Sequence, residues 1–265
     1  MLSVAIITKN EARNIEECLK SVSWADDLVV VDQFSTDATA DLATRLGAKV
    51  FQEPWKGFAS QKNSAIEKTS QSWVLSLDAD ERITPALRDE MRTVISVQES
   101  SDGYYIPRKN FFCGQWIRHG GWYPDYNLRL FKKGAARFEE RAVHEKMVVK
   151  GRTGYLKHPM EHHTYSSVAE YLERMERYSR LAAREISGKG PWSRWHTLTL
   201  RPPFTFLSMY LLRRGFLDGT KGFFLAASYA YYTFLKYYRY YERDFDLEAQ
   251  TNGFSAEENS STPRP

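Results

Sequence analysis

Trp73-Val74-Leu75-Ser76-Leu77-Asp78-Ala79-Asp80 decides how this chain is read. The first five residues are a short, mostly apolar run of strand length, and two carboxylates one residue apart stand at its end. Such a pair holds a hard divalent cation. Mg²⁺ and Mn²⁺ take oxygen ligands, usually one or two carboxylates completed by the phosphates of a substrate. Acidic loops contain D-x-D by chance, so the weight of the triplet rests on what precedes it.

Two segments of the same kind precede it. Ser3-Val4-Ala5-Ile6-Ile7 runs into Thr8-Lys9-Asn10-Glu11, and Leu28-Val29-Val30-Val31 into Asp32-Gln33-Phe34-Ser35-Thr36-Asp37. Continuous β-branched runs of this length belong to strands buried on both faces. Between them, residues 12–22 carry Ile15, Cys18, Leu19 and Val22 at helical spacing. Asp37 to Leu46 predicts a second helix, with Gly47 suited to its C-terminal cap. Lys49-Val50-Phe51 predicts a third strand, and 60–68 a third helix. The alternation implies an α/β fold with a parallel sheet covered by helices. Ligands bind such sheets beyond the carboxyl ends of the strands, where Asn10, Asp32, Asp78 and Asp80 all fall.

Thr8-Lys9-Asn10-Glu11, Val31 to Asp37, Gln61-Lys62-Asn63 and Leu77-Asp78-Ala79-Asp80-Glu81 together resemble, in order and spacing, the motifs of the family 2 glycosyltransferases. The resemblance covers about the first 150 residues. Its finer pattern is similar to the lipopolysaccharide core β-glucosyltransferases. That likeness continues through Asn127-Leu128-Arg129-Leu130-Phe131, Val143-His144-Glu145 and Gly215-Phe216-Leu217-Asp218-Gly219. It implies a GT-A-type nucleotide-binding domain with a mostly parallel sheet, a helical C-terminal appendage and sugar transfer with inversion. The chain departs from the broad family at Asp32-Gln33, where two acids are common, and at Lys62-Asn63, where Arg-Asn is common. Lys is a point charge and Arg a planar fork, so the second departure alters a phosphate or carboxylate contact.

The resemblance implies roles for particular residues. Thr8, Asn10, Glu11, Asp32, Lys62, Asp78, Ala79 and Asp80 would bind a UDP-sugar. Asp80 would be the direct Mg²⁺ or Mn²⁺ ligand, with Asp78 on the ribose or sharing the metal. Asp32 would accept from the base or ribose, its plainer alternative being a turn residue that caps the following helix. Lys62 either meets a phosphate or pairs with Asp78. Asn10 and Asn63 also suit simple turn and cap positions. A base must take the acceptor hydroxyl's proton, and two carboxylates qualify. Glu145 lies where the family's late acidic motif would fall. Asp125 lies in the aromatic stretch Trp122-Tyr123-Pro124-Asp125-Tyr126. Glu145 is the favoured catalytic base, with His144 beside the metal or diphosphate. His158 reads as structural, and His162 or His163 as a possible diphosphate contact.

Other classes fit less well. A haloacid-dehalogenase-like phosphatase wants Thr or Val two residues after the second Asp, and Arg82 stands there. A sugar nucleotidyltransferase expects a Gly-rich basic loop after the first strand, and Thr8-Lys9-Asn10-Glu11 is not one. A non-catalytic membrane scaffold requires a dead site, against which Asp32, Asp78 and Asp80 argue.

Composition places such an enzyme at a membrane. The 265 residues are 42% hydrophobic, enough for a core, and the two cysteines make a disulfide framework unexpected. No signal peptide is visible at the N-terminus. Between Arg194 and Arg243, eight Lys or Arg stand against Asp218 and Glu242 alone. The same stretch holds the apolar runs Phe204–Leu212 and Gly222–Leu235, too short to span a bilayer comfortably, with tyrosines suited to its interface. The expectation is peripheral contact with an anionic membrane, reached from the cytoplasmic side, where a lipid-linked glycan would be the acceptor. No nucleic-acid motif accompanies the basic patch. Ser167-Val168-Ala169-Glu170 predicts a capping box, followed by an apolar face of Val168, Leu172, Met175, Tyr178, Leu181, Ala182 and Ile186. The domain expectations are 1–165 catalytic, 166–245 helical and membrane-associating, and 246–265 a disordered tail.

Overall fold

The computed structural model describes residues 1–97, 101–139, 146–186 and 195–258, and of 243–258 the backbone alone. The chain divides into one unit of Met1–Ser167 and a second that opens at Val168.

The first unit is built on four parallel strands, β1 (Leu2–Thr8), β2 (Asp27–Asp32), β3 (Lys49–Gln52) and β4 (Trp73–Asp78), in the order β3-β2-β1-β4. Helices α1 (Ile15–Ser21), α2 (Thr39–Arg45) and α3 (Phe58–Glu67) connect them, as the apolar spacing predicts. β1 is central, with Val4 beside Leu28 on one side and Leu75 on the other. Successive side chains leave opposite faces of the sheet, and helices cover both. Val4 and Ile6 pack with Ile15, Leu19 and Leu87 in one layer. Ala5 packs with Ala59, Ala65, Phe131 and Phe138 in the other. α1 starts at Ile15 rather than Ala12 because the preceding amides bond elsewhere. The Glu11 N–H donates to Thr39 Oγ1 (2.8 Å) and that of Ala12 to Asp37 (3.1 Å).

Beyond β4 come β5 (Glu81–Arg82), α4 (Pro85–Ser96), β6 (Gly103–Phe112), β7 (Gln115–Trp116) and β8 (Asp125–Lys132). They are followed by β9 (Ala136–Glu139), β10 (Lys146–Val149), β11 (Thr153–Tyr155) and β12 (Met160–Tyr165). The sheet continues β4-β8-β6-β12-β5, with β8 antiparallel to its neighbours and β6 parallel to β12. β5 follows β4 directly in the chain yet pairs at the far end of this path, so the sheet curls back on itself. The turn Ala79-Asp80 spans the seam. This is the mostly parallel α/β sheet expected of a GT-A-type domain. Thr84 caps α4 by accepting from the Leu87 N–H, with Pro85 in the first turn.

The second unit is helical. It contains α5 (Val168–Glu185), α6 (Arg201–Leu207) between π-helical turns at His196–Leu200 and Ser208–Leu212, a 3₁₀ turn at Gly215–Asp218, and α7 (Gly219–Glu258). The stretches flanking Gly215 form a helical hairpin. Thr197 meets Tyr241 (2.9 Å), Arg201 meets Tyr237, and Thr205 meets Thr233 (3.4 Å), a constant antiparallel register. The two apolar runs of the sequence are its two arms. α7 continues past Asp246, where the sequence reads as a disordered tail, to Glu258. No helix among the described residues is long and apolar enough to cross a membrane.

The packing face of α5 corrects the periodicity reading. Its buried stripe is Tyr171, Met175, Ser179 and Ala183, whereas Val168 and Leu172 are exposed. A polar residue anchors the true face: Arg239 of α7 donates to Ser179 Oγ and to the Glu176 carbonyl and carboxylate. Counting apolar residues selects the neighbouring stripe because it misses this polar seam.

Candidate active site

The turn after β4 is organised by a buried acid that the sequence reading quoted without a role. The Asp78 N–H donates to Glu81 Oε2 (3.0 Å), folding Ala79 and Asp80 into a tight loop. Glu81 is fully buried and needs cations. Arg129 Nη2 reaches its Oε1 at 2.5 Å and Arg108 Nη1 reaches the same atom at 3.2 Å. The same Arg129 nitrogen lies 2.6 Å from Asp78 Oδ2, and Lys62 Nζ lies 2.9 Å from Asp78 Oδ1. Of the two alternatives for Lys62, the pairing with Asp78 is present. Burial would raise the Asp78 carboxyl, but Arg129 and Lys62 hold it well below the usual carboxylate range. Burial would likewise lower the Arg129 guanidinium, and the two carboxylates raise it instead.

Asp80 is placed differently. Among the described residues no Lys or Arg lies within ion-pair distance of it, and its partner is His162, with Nε2 3.4 Å from Oδ2. Pairing of β5 with β12, where Glu81 lies opposite His162, brings the two together. His162 Nδ1 lies 2.7 Å from Asn110 Oδ1, and Asn110 Nδ2 donates to the Trp122 carbonyl (3.1 Å) and to Asp125 Oδ2 (3.2 Å). Those donations fix the amide orientation, so His162 Nδ1 donates to Asn110. In the neutral ring Nε2 then keeps its lone pair on the side of Asp80.

Asp125 completes the cluster. Arg108 donates to its Oδ2 through Nε (3.0 Å) and Nη2 (2.7 Å), and Asn127 Nδ2 donates to its Oδ1 (3.0 Å). Burial pushes this carboxyl up, but Arg108 and the two amides bring it below its ordinary value. A continuous polar chain thus runs from Lys62 through Asp78, Arg129, Glu81, Arg108, Asp125, Asn110 and His162 to Asp80. Along it Asp78, Glu81 and Asp125 are matched by Lys62, Arg108 and Arg129. The charge of Asp80 is the unmatched one.

The ends of β1 and β2 lock to each other. Asp32 is buried and accepts from the Ser35 N–H (2.8 Å), Ser35 Oγ (2.5 Å) and, more weakly, Thr8 Oγ1 (3.5 Å). It caps its own turn at Ser35 and not the following helix, where Asp37 accepts from the Thr39 N–H (3.0 Å). Asn10, with φ of 54°, accepts from the Thr36 N–H (2.9 Å), and Glu11 accepts from Asn14 Nδ2 (2.7 Å). Asn63 pairs through both amide atoms with the backbone of Phe138 (2.8 and 2.9 Å), tying α3 to β9. His163 stacks on Phe111 at 4.8 Å, and its N–H donates to the Asp80 carbonyl (2.9 Å). The backbone N–H of His158, an exposed residue, donates to Glu90 (2.9 Å). His144 and Glu145 lie outside the described residues.

The structure thus brings Lys62, Asp78, Ala79, Asp80 and Asp125 together with His162, one of the two histidines named as a possible diphosphate contact, and adds Glu81, Arg108, Asn110 and Arg129. Arg129 had a signal, since an arginine between leucines in a strand marks a buried partnered charge. Among the described residues no group of three His, Cys, Asp or Glu forms a complete metal cage. The donor set Asp80 and His162 fits a cation that takes its remaining ligands from substrate and water.

Residues 3–146 match the model of the family described as Glycosyl transferase family 2. Over 258 residues the chain is 31% identical to the lipopolysaccharide core biosynthesis glycosyltransferase LpsC of Rhizobium meliloti (strain 1021), covering 95% of each. It is 28% identical over 247 residues to an uncharacterized glycosyltransferase of Rickettsia felis, covering 89% of this chain and 87% of that one. The mannosyltransferase PcManGT of Pyrobaculum calidifontis, solved with GDP-Man and Mn²⁺, shares the fold with a TM-score of 0.53 at 16% identity, over 90% of this chain and 86% of that one. With a family match over more than half its length and a relative aligned nearly end to end, the chain belongs to glycosyl transferase family 2.

Proposed function

We propose that this enzyme moves a hexose, glucose being the expected one, from a UDP-sugar to an inner-core heptose of lipopolysaccharide or a similar lipid-linked glycan, with inversion. The observation that carries the reading is the unmatched Asp80 carboxylate beside His162, at the edge of a charge-balanced cluster that includes Asp125. The name of the Rhizobium relative supports the acceptor class.

Asp80 and His162 would hold a Mg²⁺ or Mn²⁺ ion, whose chemistry would be charge neutralisation of the diphosphate leaving group. Asp78 is held at both oxygens by Lys62 and Arg129, so it fixes the turn and leaves direct ligation to Asp80. Thr8, Asn10, Glu11 and Asp32 shape the nucleoside pocket through the locked β1 and β2 loops. Transfer is a single displacement. The acceptor hydroxyl oxygen bonds to the anomeric carbon, the bond from that carbon to the diphosphate oxygen breaks, and UDP leaves with the electron pair. The hydroxyl proton passes to a carboxylate. Arg108 lowers the basicity of Asp125, which favours Glu145 as base and leaves Asp125 to orient the acceptor. The enzyme works as a peripheral protein on the inner face of the cytoplasmic membrane, a reading supported by its basic, apolar hairpin.

A panel of nucleotide sugars, scored by release of free nucleotide with and without purified core acceptor, tests this reading. UDP-glucose should give acceptor-dependent release that a chelator stops. Glu145→Gln should keep UDP binding and lose transfer by roughly 10²–10⁴-fold. Preference for GDP-mannose, or turnover unaffected by chelator, would overturn the donor or metal assignment.

A further inference from the structure

The tip of the helical hairpin carries an unusual surface. Between Trp195 and Tyr241 the sequence holds a single acid, Asp218, and the fold buries it. Around it, large apolar side chains point outward: Leu211, Leu212 (72% exposed), Phe216 and Leu217 (56%). Leu200, Phe204 and Leu207 extend the same exposed apolar surface down the first arm, at helical spacing. Arg213 and Arg214 stand exposed at the turn, and among the described residues no carboxylate pairs with either.

This tip is tightly built. Tyr210 packs against Phe206, Phe216 and Phe223 at ring separations of 5.3, 6.2 and 5.6 Å. A Cβ on Gly222 would fall 1.9 Å from the Gly215 carbonyl oxygen, so the two arms meet where side chains are absent. Arg214 adopts a left-handed conformation with φ of 56°. A well-formed turn that exposes leucine, phenylalanine and two unpaired arginines matches one environment. Apolar side chains enter an acyl boundary while guanidinium groups meet phosphates just above it.

We propose that Leu211–Leu217 is the membrane-seating element, inserting Leu212, Phe216 and Leu217 into an anionic bilayer with Arg213 and Arg214 on its phosphates. This rests on the reading of a lipid-linked acceptor and names the surface that brings the enzyme to it. The charge complementarity selects anionic lipid over a second copy of the chain, since facing tips would bring Arg213 and Arg214 against each other.

The test uses the full chain and two kinds of vesicle, phosphatidylglycerol with phosphatidylethanolamine, and phosphatidylcholine alone. Wild type should co-sediment with the anionic vesicles, less so as salt rises, and weakly with the neutral ones. Leu212→Ser with Leu217→Ser should abolish most of that binding. Arg213→Gln with Arg214→Asn, the latter chosen because Asn tolerates a positive φ, should weaken it about 30-fold. Circular dichroism and calorimetric UDP binding should match wild type in both variants. Equal pelleting of variants and wild type would overturn the proposal. So would a wild-type dimer, seen by light scattering, that both variants break without any vesicle binding. Failure of wild type to release UDP from UDP-glucose with purified core acceptor present would defeat the donor and acceptor reading and leave the vesicle result standing.

Discussion

The acidic turn after β4 and the tip of the helical hairpin use arginine in opposite ways. Arg129 is buried and touches two carboxylates, Asp78 and Glu81. Arg213 and Arg214 are exposed, and the nearest acid in the sequence, Asp218, is buried. In the first region Asp78, Glu81 and Asp125 each face a cation and Asp80, among the described residues, faces only His162, which is why the proposed function puts the metal and diphosphate there. In the second the protein leaves positive charge and apolar surface open together. A charge left unmatched by its own fold is therefore the most informative charge in each region.

Removing the buried cation should have the largest effect. Arg129→Ala leaves Glu81 and Asp78 short of a partner in a site with little water, and breaking a buried pair in this way costs about 3–5 kcal/mol. Urea unfolding should show a much lower midpoint. An unchanged midpoint would mean that Arg129 balances nothing. The corresponding probe of the hairpin is Gly222→Ala, whose new Cβ meets the Gly215 carbonyl oxygen. Backbone displacement there should cost about 1–3 kcal/mol. The variant should lose helicity and vesicle binding together, whereas unchanged thermal melting would show that the arms have slack.

Asp27 gives a pH test within the first unit. It accepts from Ser3 Oγ (2.8 Å), Ser70 N–H (2.9 Å) and Lys49 Nζ (2.8 Å). Burial opposes its charge, yet Lys49 and the two serines bring its pKa down to about 2 from 3.8. A carboxyl whose folded value is depressed stabilises the fold above its unfolded pKa, and that contribution is lost as pH falls through the folded value. Stability of wild type should therefore drop between about pH 4 and pH 2 more steeply than that of Asp27→Asn. Parallel acid titrations of the two would remove Asp27 from the account. The smallest effect belongs to Lys49→Ala at neutral pH. Its side chain is 61% exposed but Asp27 is 2% exposed, and with Ser3 and Ser70 still donating to that carboxylate the loss should be about 1 kcal/mol.

The parallel half of the sheet was legible because strands buried on both faces are uninterrupted apolar runs, as in Val29-Val30-Val31. The second half was not. β6, from Gly103 to Phe112, mixes Arg108, Lys109 and Asn110 with aromatic residues, since part of that strand lines the polar site rather than the core. Asp78 and Asp80 were legible from their place after β4. His162 was named only as one of two possible diphosphate contacts, and its place beside Asp80 was not legible, because no local spacing links the two and only the pairing of β12 with β5 makes them neighbours. The pairing of Asp78 with Arg129 was hidden for the same reason: β8 lies beside β4 in the sheet but far from it in the chain.

The central claim is that Asp80, with no Lys or Arg partner among the described residues, holds the metal while Asp78 is already neutralised. Calorimetric titration of UDP into wild type and Asp80→Asn, each with and without Mn²⁺, tests it most directly. Wild type should bind UDP more tightly with Mn²⁺, and Asp80→Asn should retain the metal-free affinity but lose the gain from Mn²⁺. The same Mn²⁺-dependent gain in both proteins would contradict the account.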